Sequence, residues 1–232
     1  MTLYETIFVR RSVRNYEDGE LSDSELRALR EFIRGTNRMK GTSARFEVVG
    51  REAVKGIAPH YVLAYCGGGD AECANVGFVL SNIDLYLQSR GFGSLFLGVK
   101  TPVKSDPEFC IMLAFGRTAE PLRSGGGDFE RLAIEEISDS DGSVARAVRL
   151  APSAVNSQPW KLEFEEGCVA VSYFGRGLKK LLLKRLNKID VGIAARYAEL
   201  ALLNEGRTVR SVSPEASGKN FKVIIEYGTG VC

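Results

Sequence analysis

Apolar residues recur at helical spacing in two long segments of the chain. The stretch NVGFVLSNIDLYLQSRG, Asn75 to Gly91, places Val76, Val79, Leu80, Ile83 and Leu87 on one stripe. The stretch DVGIAARYAELALLNEG, Asp190 to Gly206, does the same with Val191, Ala194, Ala195, Ala198 and Leu202. A glycine ends each, as a helix C-terminus favours. Helices this apolar need cover on several sides, which predicts a pair packed together at a pseudo-twofold axis. The two segments lie 190 − 75 = 115 residues apart and share Val76/Val191, Gly77/Gly192, Leu85/Leu200, Leu87/Leu202 and Gly91/Gly206. Those are five identities in seventeen positions, where average composition gives roughly one by chance. Asn75/Asp190 and Asp84/Glu199 are chemically close as well.

Shorter alternating or apolar runs predict strands with the same offset. RFEVV (45–49) stands 115 residues before WKLEF (160–164). With YVLAYC (61–66) and CIMLAFG (110–116), the first makes one set; LEF, CVAVSYF (168–174) and FKVIIEYG (221–228) make another. SDSE (22–25) is a capping box ahead of Leu26, Leu29 and Ile33, and TLYE (2–5) is a second, starting a helix that ends near Arg10. Asp141 is placed to cap a helix running through Leu150. RGLKKLLLKR (176–185) reads as an amphipathic helix with a solvated basic face, or as a basic face lining a pocket. SGGGD (124–128) reads as a flexible connector between a first unit, 1–123, and a second, 129–232, which together form one compact α+β body.

Composition narrows the class without naming a chemistry. Of the 232 residues, 44% are apolar and 26% charged, ordinary for a globular protein. The net charge of +2, from 31 basic and 29 acidic residues, argues against nucleic-acid or membrane-surface partners. No apolar run reaches membrane-spanning length, and the first residues have their basic positions after the apolar ones, the reverse of a secretory signal. The five cysteines, Cys66, Cys73, Cys110, Cys168 and Cys232, form no CxxC pair, and their odd number suits a reducing cytoplasm. With His60 the single histidine, expected at a surface or strand edge, a metal site and a His-based triad are both unexpected, and no catalytic side chain stands out.

Two stretches carry candidate chemistry. RRSVR (10–14) packs Arg10, Arg11, Ser12 and Arg14 where a helix gives way to extended chain; it is either a solvated basic turn or a grip for a phosphate monoester. APSAVNSQPW (151–160) has its backbone fixed by Pro152 and Pro159, with small Ser153 and Ala154 permitting close approach and Asn156 and Gln158 offering donors and acceptors. It is either a polar loop leading Trp160 into the core or a platform for a flat ligand. GFGSLF (91–96) starts like a dinucleotide fingerprint, but it follows a helix rather than a strand, so a Rossmann site is rejected. CGGGD (66–70) reads as a strand-to-helix loop.

RRSVRNY, APSAVNSQPWKLEF, the buried helix running into GFGSLFLG (91–98) and ERLAIEEI (130–137) together resemble the nitroreductase family of FMN enzymes. The order departs from the common pattern. The Pro-Ser segment sits in the second half, the equivalent place in the first reads GTNRMKGTSAR (35–45), and no Arg-Arg-Ser opens the second half. The resemblance is therefore to a branch in which one chain mimics the usual homodimer. It implies a nitroreductase-like α+β fold, two similar mixed-sheet-plus-helix halves related by a pseudo-twofold axis. It implies one FMN per chain at the seam, a monomer, and NAD(P)H as reductant for a small electron-poor acceptor such as a nitroaromatic or quinone. Arg10, Arg11 and Ser12, with Arg131 from the basic tail, are implied at the phosphate and Arg14 at the pyrimidine end. The backbone of Phe96, Leu97 and Gly98 is implied beside the flavin's reacting edge. Pro152, Ser153 and Ala154 are implied against the ring, with Asn156 either ordering their loop or bonding to the flavin. Two rivals stay open: a flavin-binding or flavin-processing protein of this fold without nitroreductase activity, and a cofactor-free binding relic.

Overall fold

A computed structural model describes residues 1–98, 100–175, 183–217 and 220–229. Two helices fill its centre: α3, Asp70–Ser89, and α5, Lys184–Asn204. They cross at paired glycines. A Cβ added at Gly77 would collide with the Ile189 carbonyl, and one added at Gly192 with the Ala74 carbonyl. Those contacts are related by the offset seen in the sequence, since 192 − 77 and 189 − 74 are both 115. Glycine is needed because each helix presses its backbone into the other, closer than any side chain allows.

A four-stranded sheet covers each side of this pair. The first has the order β1-β2-β4-β3, from Arg45–Gly50, His60–Tyr65, Phe109–Gly116 and Gly93–Leu97. The second has β5-β6-β8-β7, from Trp160–Glu165, Cys168–Tyr173, Asn220–Thr229 and Arg207–Ser217. All pairings within the sheets are antiparallel. The mixed character expected of them is confined to one parallel bridge, Ser12 to Ser94, just outside the first. Three strands per half match the predicted sets; β3 and β7, the edge strand carrying Pro214, complete them. Among the described residues no helix is long and apolar enough to cross a membrane.

The smaller helices are α1, Leu3–Ile7, α2, Asp23–Gly35, and α4, Ser143–Arg149. Both expected capping boxes form, Thr2 with Glu5 and Ser22 with Glu25. Gly91 and Gly206 follow α3 and α5 at φ +86° and +75°, the left-handed conformation that ends a helix. Trp160 is fully buried, as expected.

Two expectations are corrected. His60 is not at the surface: it is buried at the start of β2, stacks on Phe115, and its Nε2 accepts the Leu21 N–H at 2.9 Å. Burial lowers its pKa, so it serves as a neutral acceptor. Asp141 does not cap α4; Gly142 holds that position and Asp141 pairs with Arg146 at 3.1 Å. The stretch read as a connector holds a short 3-10 turn, Gly126–Asp128, with Ser124 N and Oγ donating to Asp128 Oδ2 at 3.0 and 2.7 Å. The helix expected at 176–185 falls mostly outside the described residues; Lys184 and Arg185 open α5.

Candidate functional site

Arg10 follows α1 and is 2% exposed. Its Nε lies 2.9 Å from Oδ2 of Asp84, a fully buried residue of α3. Asp84 Oδ1 also accepts from Ser94 Oγ at 2.6 Å and Gln88 Nε2 at 3.0 Å. Gln88 reaches the other way, accepting from Arg11 N at 2.8 Å and donating to Arg11 O at 2.9 Å. One polar cluster on α3 thus fixes both the Arg10 side chain and the backbone leading into Ser12. A lone buried carboxylate in an apolar helix would cost several kcal/mol, so Arg10 is as necessary to the fold as Asp84 is to Arg10.

More cations converge on this point. Arg123 N donates to Val9 O at 2.8 Å and its Nε to Arg10 O at 3.1 Å. Burial, then the charges of Arg10 and Arg11, lower its pKa. Arg131 donates from Nη1 to Asn156 Oδ1 at 3.0 Å and to Glu130 O at 2.8 Å, and from Nη2 to Leu150 O at 3.2 Å. Burial and the Arg10 charge lead in pushing its pKa down to about 10, with Arg123 and Arg149 adding to the fall. It stays charged at neutral pH. Both Arg123 and Arg131 lie over the Phe129 ring, at 4.5 and 5.3 Å from its centroid.

Arg131 ties this cluster to the second half. The loop after α4 has three non-glycine residues at positive φ: Val155 at 47°, Asn156 at 56° and Gln158 at 45°. A β-branched residue there is strained, so the loop must be held from outside. Ser153 Oγ accepts from Gln158 N at 2.9 Å, Gln158 Oε1 accepts from Leu132 N at 3.0 Å, and Asn156 Nδ2 donates to Glu130 O at 3.1 Å. The Ala154 N–H donates to the Asp190 carboxyl at 3.1 Å. Asp190 is buried, and desolvation raises its pKa well above the ordinary carboxylate range, with the Ala154 bond opposing. The loop presents Val155 to solvent, 66% exposed.

The sequence candidates therefore divide. Arg10, Arg131 and Asn156 form one continuous constellation. Ser12 lies beside β3, and Val13 N bonds Ser94 O at 3.0 Å. Arg11 turns away from Arg10, bonding Pro121 O at 3.1 Å and pairing with Glu120 at 3.4 Å. Arg14 is exposed. Phe96 and Leu97 are half-buried on β3, and exposed Gly98 faces Leu186 of α5. Pro152, Ser153 and Ala154 are half-buried in the strained loop. Among the described residues no hydrogen bond joins 96–98 to 152–156.

Sequence reasoning missed Asp84, Gln88, Ser94, Arg123, Asp190 and Tyr197. A signal existed for two of them. Asp84 and Asp190 are acids set among the apolar stripes of the two long helices, and such residues persist inside only when something pairs with them.

The site also suits an anion. Arg10 Nη2, Arg131 Nε and Tyr197 Oη are buried without a hydrogen-bond partner. The Arg10, Asp84 and Arg131 charges all act on the Tyr197 phenol, although burial is the main reason its pKa is raised. Unmatched donors beside mutually repelling cations are what a phosphate dianion would satisfy.

The overall architecture is similar to that of a nitroreductase of Thermotoga maritima MSB8, at TM-score 0.72 and 20% identity, covering 97% of this chain and 94% of that one. A structure from Desulfovibrio desulfuricans, described as a nitroreductase in complex with FMN, aligns at TM-score 0.45 and 19% identity over 58% of this chain and 93% of that one. A search of curated proteins gives no significant match. The sequence matches the family described as "Putative TM nitroreductase" over residues 2–202, and with most of its length matched the chain belongs to that family.

Proposed function

We propose that this chain is an FMN-dependent oxidoreductase of the cytoplasm, active as a monomer, with a single cofactor site at the seam between two duplicated halves. The observation that carries this reading is the joining of the two motifs through Arg131. Arg131 bonds Asn156 of the Pro-Ser loop at 3.0 Å, and it lies near enough to Arg10 for the Arg10 charge to lower its pKa.

In this reading Arg10 and Arg131, with Ser12, hold the phosphate, and Arg123 adds positive charge behind them. Asp84 fixes the direction of Arg10 rather than neutralising the whole cluster. Arg14, being exposed, is free to turn toward the pyrimidine end, where a cation favours the reduced ring. The backbone from Phe96 to Gly98 lines the reacting edge. Pro152, Ser153 and Ala154 form the platform, and Asn156 keeps it in its strained shape. When bound, FMN supplies hydride transfer from NAD(P)H to an electron-poor acceptor, a nitroaromatic or quinone, in alternating half-reactions. No acid–base side chain is required of the protein for that transfer.

Titration of the purified chain with FMN, followed by flavin fluorescence, tests the proposal. One FMN per chain is expected, with bleaching by NADH or NADPH under anaerobic conditions and recovery of colour on adding a quinone. Two bound FMN per chain, or none, overturns the single-site reading; binding without bleaching overturns the oxidoreductase reading.

A further inference from the structure

Three of the five cysteines, far apart in sequence, meet in the first half. Cys66 directly follows β2, Cys73 lies in the first turns of α3, and Cys110 is near the start of β4. Their three sulfur atoms all lie within 4.8 Å of one another, and all three residues are buried. A bulge makes the meeting possible. Ala64 pairs with Ile111 but Tyr65 pairs with Phe109, so Cys110 is the extra residue. Cys110 and Ile111 consequently both face α3, while Phe109 and Met112 face the other way. Without the bulge, neighbours on β4 would alternate and the third sulfur would be lost from the group.

We infer that Cys66, Cys73 and Cys110 form a three-thiolate site for one thiophilic d10 metal ion, Zn2+ or Cu+. A metal–sulfur length of about 2.3 Å sets three sulfurs about 4.0 Å apart around one ion, so closure from the observed spacing needs sub-ångström movement. Soft thiolates select these ions over the hard cations. The trio sits in the apolar core with one cation at its border. Arg185 donates from Nη2 to the carbonyl of Phe109, the residue before Cys110, at 3.3 Å, which places a cation beside the group. Three thiolates and a divalent ion sum to −1, which Arg185 balances; Cu+ is the ion that three ligands satisfy fully. The site is independent of the flavin reading, and it was not expected from sequence because neither a CxxC pair nor a histidine marks it.

The test uses the whole chain, purified anaerobically with reductant and stripped of metal. Titration with Zn2+, Cu+ and, as a spectroscopic probe, Cd2+ is followed by metal content, the ultraviolet sulfur-to-metal charge-transfer band, and the urea unfolding midpoint. One ion per chain is expected, with a charge-transfer band for Cd2+ and a higher unfolding midpoint in the presence of Zn2+ or Cu+. Whichever of those two survives competition with a chelator identifies the resident ion. Cys66→Ala, which an apolar pocket accepts, should weaken binding by about a hundredfold or more, whereas Cys168→Ala, at the start of β6 in the other sheet, should leave it unchanged. Should Cys66→Ala fail to fold, the wild-type midpoint shift and charge-transfer band still decide. Binding below one ion per chain, equal effects of the two substitutions, or a disulfide within the trio after reducing purification would overturn the assignment.

Discussion

The two loops beside the central helix pair hold corresponding places in the chain and end in different states. On one side the loop 151–160 stands strained and partly exposed, held by Arg131 and Asp190. On the other, the corresponding loop, 35–45, is drawn onto the sheet: Lys40 N donates to Val212 O of β7 at 2.9 Å. Lys40 corresponds to Val155 and Val212 to Leu97, by the same 115-residue offset, and among the described residues no backbone bond joins Val155 to Leu97. Below Lys40, Arg196 is buried against Glu199 and bonds Asn82 Oδ1 at 3.0 Å, filling space with a satisfied ion pair. What remains there is a shallow cavity of about 300 Å³, at the small end for a cofactor. The contrast shows that a shared framework fixes helices and sheets, while a handful of loop and helix residues decide how each loop is held.

The comparison breaks most completely if the helices are pushed apart. Gly192→Ala forces a Cβ into the Ala74 carbonyl and should destabilise the whole chain by about 3 kcal/mol, read as a lower urea midpoint, with both sides affected alike. Next in size, Arg131→Ala should weaken FMN binding about a hundredfold, near 2.8 kcal/mol. Arg38→Ala, at the position corresponding to Ser153 on the closed side, should change it by less than about twofold. Equal losses would mean that the two loops do not differ as described.

A smaller effect concerns the two residues that anchor the loops. Asn75 Oδ1 accepts from Met39 N at 3.0 Å exactly where its counterpart, Asp190, accepts from Ala154 N. Asp190 has a folded pKa raised above its unfolded value. Its contribution is therefore fully present below the unfolded carboxyl pKa of about 3.9 and is lost as pH rises toward the folded one. Asp190→Asn should remove that loss, leaving a protein more stable than wild type at pH 8 and little changed at pH 4. Asn75→Asp should introduce the same loss with rising pH on the closed side. Unfolding midpoints across pH 4–8 check both. Smallest of all, Val155→Gly relieves a left-handed β-branched residue at glycine's entropic cost, for a net gain of about 0.5 kcal/mol.

Much of this framework could be read from hydrophobic spacing alone. The helices α3 and α5 announce themselves because their apolar stripes are long, and their repeated glycines mark the crossing. The strand β7 escaped notice because Arg207, Arg210, Ser211 and Pro214 break its alternation, which an edge strand tolerates and an inner strand would not. His60 was misplaced because its burial depends on Leu21, 39 residues away. RRSVR was legible as a cluster of charge, but not as a division of labour: nothing in the five letters tells that Arg10 enters the core while Arg11 turns to Glu120. That split is set by Asp84, through tertiary contact.

The mutual seating of Gly77 and Gly192 has a consequence for the integrity of the chain. Each half supplies the socket for the other's backbone, so neither has a finished interior by itself. A peptide nicked between residues 124 and 128 should stay assembled and melt as one piece, and its two fragments, expressed apart, should become ordered only on mixing.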